Sequence, residues 1–111
     1  MKMLISQRAE ADLENIYAWL AVHGGEDVAE QFKINTEKAL RLLQQHPEVG
    51  PQPAWFTQHH HLRFWIISQT NYVIYYEVGQ NEIAIERVLD GRRDTRRIIQ
   101  GKIENPLDEA S

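Results

Sequence analysis

Residues 62–89 read LRFWIISQTNYVIYYEVGQNEIAIERVL, and along this stretch the apolar side chains recur with a period of two. Leu62, Phe64 and Ile66 alternate with Arg63, Trp65 and Ile67. From Asn71 a second run puts Tyr72, Ile74 and Tyr76 on one side and Val73 and Tyr75 on the other. A third run, Glu82 to Leu89, sets Ile83, Ile85 and Arg87 against Ala84, Glu86 and Val88. β-Branched and aromatic residues dominate all three runs, as expected of side chains that pack on a pleated surface. Gly79 to Asn81 supplies a tight turn between the last two. The stretch predicts a three-stranded antiparallel meander.

Upstream the period changes to that of a helix. Met1 to Ile5 is a short apolar run suited to a strand, and Ser6 is placed to cap the helix behind it. Ala9, Leu13, Ile16, Tyr17 and Leu20 then form one stripe, with Arg8, Glu10, Asp12 and Glu14 mostly off it. Gly24-Gly25 breaks the pattern. Val28, Phe32, Ala39, Leu40 and Leu43 form the apolar face of a second helix, which has to stop before Pro47 because the residue preceding a proline avoids helical angles. Two amphipathic helices joined by Gly-Gly make an antiparallel hairpin. Residues 46–61, HPEVGPQPAWFTQHHH, read as a loop. Beyond Gly91 an arginine-rich segment runs into Ile98-Ile99 as a short helix.

Strand, helix, helix, three strands and a short tail define an α+β domain. The hairpin packs on one face of a small, mainly antiparallel sheet, and the N-terminal strand joins the meander at an edge the sequence does not specify. Residues 1–100 form a single domain in this reading, and 101–111 a polar, flexible tail interrupted by Pro106.

The chain has 111 residues and a net charge of -4, with 42% hydrophobic and 25% charged residues. Its mean hydropathy is -0.52, a soluble, globular composition. Without cysteine, disulfides, thiolate zinc sites and cysteine nucleophiles are excluded. No apolar run in Met1 to Ala11 resembles a signal peptide and none elsewhere suits a membrane span, so the expectation is a cytoplasmic protein with no membrane association. The acidic balance argues against direct, specific nucleic-acid binding, for which phosphate contacts normally demand a basic surface. Positive charge is nevertheless concentrated: Arg87, Arg92, Arg93, Arg96 and Arg97 fall within eleven residues, opposed there by Asp90 and Asp94.

Five segments in this order resemble a known family. They are a first helix carrying Ala9, Asp12, Leu13, Ile16 and Trp19, and a His-Pro-x-x-Gly helix end at His46, Pro47 and Gly50. Arg63 opens the meander, YVIYY spans Tyr72 to Tyr76, and I-x-R-V-L-x-G-R-R-D runs from Ile85 to Asp94. Together, over about residues 2 to 98, they resemble the ParE/RelE toxin superfamily, also described as plasmid-stabilisation proteins, and its ParE-like branch in particular. The resemblance implies the toxin of a type II toxin–antitoxin pair. ParE-like members inhibit DNA gyrase by binding it, without catalysis by the toxin, whereas RelE-like members are ribosome-dependent mRNA endonucleases. Both are neutralised by an antitoxin that folds over them.

Metal-free RNA cleavage needs a base, a proton donor and cations for the developing phosphorane charge. The resemblance places those roles on lysines and arginines of the sheet and the preceding loop. Here no lysine or arginine occurs between Arg41 and Arg63, and Val73 stands where the nucleases carry a central sheet arginine. A nuclease would have to use Arg63, Arg87 and Tyr76 in a rearranged site, so the leading reading is an inhibitor that needs no cofactor and whose partners are a cognate antitoxin and gyrase. A third reading is a non-toxic member that only binds antitoxin, since Asp90 stands where many relatives have histidine.

The candidate partner-binding residues are Trp19, Trp55, Arg63, Arg87, Arg92, Arg93, Arg96 and Arg97. Each has a structural alternative. Trp19 lies off the apolar stripe and is expected to be exposed. Trp55 and Phe56 either cover the end of the core or anchor a partner. Arg63 either contacts a partner or pairs across strands with Glu77 or Glu86. The arginine cluster either grips carboxylates or forms a solvated turn pairing with Asp90 and Asp94. Tyr72, Tyr75 and Tyr76 read as sheet core. His59-His60-His61, with His46, read as solvent-facing loop residues rather than a metal site.

Overall fold

The change of period from helical to strand-like at residue 62 becomes a change of layer. The computed structural model describes residues 1–54, 61–93 and 95–104. In chain order they form β1 (Lys2–Ile5), α1 (Gln7–His23), α2 (Glu26–Gln45), β2 (Leu62–Ile66), β3 (Tyr72–Val78), β4 (Glu82–Asp90) and α3 (Thr95–Glu104). The four strands lie in the order β1-β4-β3-β2. The meander is antiparallel, with Phe64 opposite Tyr75 and Val73 opposite Leu89. β1 takes the edge beside β4 and runs parallel to it, Met3 beside Ile83 and Ile5 beside Ile85. The α+β architecture and the mainly antiparallel sheet are as expected from the sequence, and the open edge is now assigned.

Local chemistry sets the helix limits. The Ser6 hydroxyl accepts the Ala9 amide at 3.0 Å, capping α1. Gly25 adopts φ +96 between the helices, a left-handed value that a side chain would strain. α2 ends at Gln45, two residues before Pro47. Its buried face holds Ala29, Phe32, Asn35, Thr36, Ala39 and Leu43, whereas Val28, expected on that face, is exposed. The Thr36 hydroxyl satisfies itself on the Phe32 carbonyl at 2.8 Å. Tyr17 is also displaced from the stripe. It is a little over one-third exposed, at 37%, and its phenol donates to Glu30 across the hairpin at 3.2 Å.

The sheet is covered on both faces. Ala9, Phe32, Ala39 and Leu43 of the hairpin pack against Ile74, Tyr76, Ile83, Ile85 and Val88. On the opposite face Leu62, Val73, Tyr75 and Leu89 pack with Ile99, flanked by Phe64 and Ile98. α3 therefore closes the face that the hairpin leaves open, which explains why β3 is apolar on both sides. The Tyr75 phenol fastens it by donating to the Thr95 hydroxyl at 2.7 Å.

The simple alternation expected for β4 is corrected by a bulge. Tyr76 pairs with Ile85 but Tyr75 pairs with Arg87, which leaves Glu86 as an extra residue. The phase slips there, so Val88 joins Ile83 and Ile85 against the hairpin instead of facing away from them. α1 occupies backbone groups around the bulge: the Ser6 hydroxyl donates to the Glu86 carbonyl at 2.8 Å, and the Val88 amide donates to Asp12 at 2.9 Å.

Candidate partner-binding site

Helical spacing brings Asp12, Asn15, Ile16 and Trp19 to the side of α1 that looks along the end of β4. Facing them across a cleft of about 350 Å³ are Tyr72, Arg87, Val88, Leu89, Asp90, Arg92 and Arg93. Trp19 is 54% exposed. Its ring stacks on His23 one turn later, with centroids 4.3 Å apart and planes inclined by 17°. The His23 Nδ1 lies 2.9 Å from the Trp19 carbonyl oxygen. An aromatic face is thus presented in a fixed orientation rather than swinging freely.

The arginines differ sharply in how they are used. Arg87 is forked onto Asp12, its Nε 2.8 Å from Oδ2 and its Nη2 2.9 Å from Oδ1. Both side chains are nearly buried, so this pair forms the neutralised floor of the cleft and ties α1 to β4. Arg92 reaches back to Asp90, with Nη2 2.7 Å from Oδ2 and Nε 3.0 Å from Oδ1. These hydrogen bonds, helped by the charge of Arg93, hold the Asp90 carboxyl below the usual range, while Arg92 is shifted upward by the same contact. Arg93 is exposed at the mouth and forms no salt bridge of its own among the described residues. Burial, followed by the nearby Asp90, raises the Tyr72 phenol. Arg96 and Arg97 lie exposed on the first turns of α3, outside the residues that line the cleft.

Arg63 holds a backbone segment in place of the cross-strand carboxylate that is one of its two expected partners. Its Nη1 donates to the Gly50 carbonyl at 2.7 Å and to the Glu48 carbonyl at 3.2 Å, rather than to a carboxylate on a neighbouring strand. The Tyr76 phenol holds the same segment, donating to the Pro47 carbonyl at 2.8 Å and accepting the Gly50 amide at 2.9 Å. A Cβ at position 50 would collide with the Phe64 carbonyl oxygen and the Tyr76 hydroxyl. The His-Pro-x-x-Gly element is therefore a clamped loop whose glycine is required by close approach. Beside it, a hollow of about 550 Å³ is lined by Glu48, His61, Arg63, Glu77 and Glu82, among others. A third recess, about 520 Å³, lies along the helical hairpin between Leu13, Tyr17, Phe32 and Leu40, with Glu14, Lys33 and Glu37 around it.

The structure thus brings Trp19, Arg87, Arg92 and Arg93 into one cleft and leaves Arg63 at another. Trp55, Phe56, His59, His60 and Asp94 lie outside the described residues. Sequence reading missed Asp12 and Tyr72 as members of this site. The Asp12–Arg87 contact spans a separation of 75 residues, and a polar residue off the apolar stripe carries no mark of so distant a partner.

A two-sided α+β sheet with an arginine-lined exit is the fold that the sequence resemblance implies. The chain belongs to the family described as the ParE toxin of type II toxin–antitoxin systems, parDE, which matches residues 3–95. No curated protein matches it. Among solved structures it is similar to one from the chromosomal ParDE TA system of P. aeruginosa, with a TM-score of 0.66 and 22% identity over 79% of this chain and 92% of that one. At that identity the likeness concerns the fold. Among the described residues no helix is long and apolar enough to cross a membrane.

Proposed function

We propose that this chain is a toxin that inhibits DNA gyrase by binding it and is neutralised by a cognate antitoxin. The observation that carries the reading is the dispersal of the residues a nuclease would need. Arg87 is forked onto Asp12, while Arg63 and Tyr76 are spent on the Pro47–Gly50 loop. The hollow beside Arg63 holds the carboxylates of Glu48, Glu77 and Glu82, which would repel a phosphate and oppose charge development on it. What remains available is binding surface: the apolar recess along the hairpin, which suits a folding-on-binding antitoxin segment, and the arginine exit. Membership of the ParE family supplies the toxin–antitoxin context.

The test is a gyrase supercoiling assay with purified chain free of antitoxin. Loss of supercoiling with accumulation of cleaved DNA is the expected result. No effect at micromolar concentrations of folded protein removes gyrase as the target. Codon-specific mRNA cuts that appear on expression and vanish with Arg63→Ala would replace the reading with ribosome-dependent cleavage.

A further inference from the structure

We infer that the cleft between α1 and the end of β4 docks an acidic segment of a partner protein, with a carboxylate on Arg93 and an adjacent apolar side chain against Trp19. In taking that partner to be the antitoxin, the inference rests on the toxin–antitoxin reading above.

Charge pairing at the cleft fixes the sign of the occupant. Asp12 is consumed by Arg87 and the Val88 amide, and Asp90 by the backbone and side chain of Arg92. Once these pairs are made, Arg93 is the charge left over at the mouth: it forms no salt bridge among the described residues, and its influence on Asp90 adds to a carboxylate that Arg92 already neutralises. The molecule as a whole carries a net charge of -4, so this local excess runs against the global balance and marks where a negative group is accepted. An arginine fork suits a carboxylate in particular, since its planar donors match the two oxygens.

Trp19 fixes the rest of the occupant. A tryptophan that is 54% exposed and already ordered by its stack on His23 offers contact area with little further loss of side-chain freedom on binding. Such rigid aromatic anchors, paired with arginine, dominate the energetics of protein–protein contacts. Ile16, one turn earlier, lines the same wall and extends the apolar strip. A nucleic acid is the poorer match. Its regularly spaced phosphates would meet Asp12 and Asp90 as well as Arg93, whereas a peptide can place one carboxylate at the mouth and a neutral side chain beyond it.

The probe is a candidate antitoxin, taken as any small protein whose gene adjoins that of this chain, titrated against the full chain by calorimetry at two salt concentrations. Arg93→Glu and Trp19→Ala should each weaken binding by about tenfold or more, as expected for central contacts, with unchanged thermal melts because both side chains are exposed. Arg93→Glu should also flatten the salt dependence. Val22→Ala, at a residue 79% exposed and outside the cleft, should bind as wild type does. Wild-type affinity in both cleft variants overturns the assignment and leaves the toxin–antitoxin reading standing. A wild-type chain that does not bind the neighbouring protein overturns both. Displacement of that protein by a single-stranded oligonucleotide, abolished in Arg93→Glu, makes the occupant a nucleic acid and overturns the assignment to a peptide.

Discussion

The phenol of Tyr76 is fully buried, and its oxygen bridges the Pro47 carbonyl and the Gly50 amide. Burial raises this phenol above its ordinary pKa, against a lesser lowering by the Gly50 hydrogen bond and the Arg63 charge. A group so enclosed and so occupied is a loop anchor and cannot readily exchange protons with a substrate. Tyr76→Phe should therefore cost about 1–3 kcal/mol, the penalty for leaving a buried amide unpaired, read as a lower urea midpoint. Growth inhibition by the expressed variant should persist at temperatures where it remains folded. A variant that melts like wild type yet has lost toxicity would restore Tyr76 as a functional group. From sequence, the alternation of Tyr72, Ile74 and Tyr76 was enough to place this side chain in the core. Its partners were not legible, because the loop that it holds lies 26 to 29 residues away and nothing in the residues of a strand names the loop that folds over it.

At the scale of elements, the join between α1 and β4 sets the geometry of the cleft. The bulge at Glu86 re-aims the strand, and Asp12 then receives both Arg87 and the Val88 amide. Arg87→Ala leaves a nearly buried carboxylate without its cation. The loss should be on the order of 2–3 kcal/mol, below the ~3–5 kcal/mol typical of a fully buried pair because both groups retain some contact with water. Chemical denaturation of the single variants and of the Asp12→Ala, Arg87→Ala double variant checks this. The double should fall well short of the sum of the singles, and strict additivity would mean that the contact does not couple the two elements. The hairpin, its Gly-Gly break and the three strands all followed from period and turn chemistry. The bulge also left a trace in the sequence: Glu86-Arg87 followed by Val88-Leu89 puts two polar and then two apolar residues in succession, which a strict period of two forbids. Reading that slip would have moved Val88 to the hairpin face. No comparable signal pairs β1 with β4, since a four-residue apolar strand fits either edge equally well.

Across the whole molecule, β3 carries the aromatic weight of both cores, and its chemistry sets a limit at high pH. Tyr76 faces the hairpin and Tyr75 faces α3, with Tyr72 packed at the rim of the hairpin core. Each phenol is raised, with burial the largest cause in all three. A raised phenol in the folded state means that the neutral form is favoured there, so the stability it reports is fully present below the ordinary tyrosine pKa of about 10. That stability is lost as pH rises past this value and through the folded-state pKa. The urea midpoint should accordingly stay level from neutral pH toward the tyrosine range and fall steeply beyond it, with tyrosinate absorbance appearing together with unfolding. At the acid end Asp90 contributes little. Asp90 is lowered, and its contribution disappears only as pH falls through that lowered value, but its partner Arg92 is too exposed for the pair to matter much. Smooth ionisation of all the tyrosines with an unchanged urea midpoint would mean that the phenols are not enclosed and that α3 does not close the second face. That closure is the part of the architecture least visible in composition: an arginine-rich segment ending in Ile98-Ile99 reads as a solvated helix until Val73, Tyr75 and Leu89 are known to need a cover. The same docking carries Arg96 and Arg97 onto α3 and leaves Arg93 at the cleft. A steep alkaline transition would therefore also support the frame on which the arginine exit is mounted.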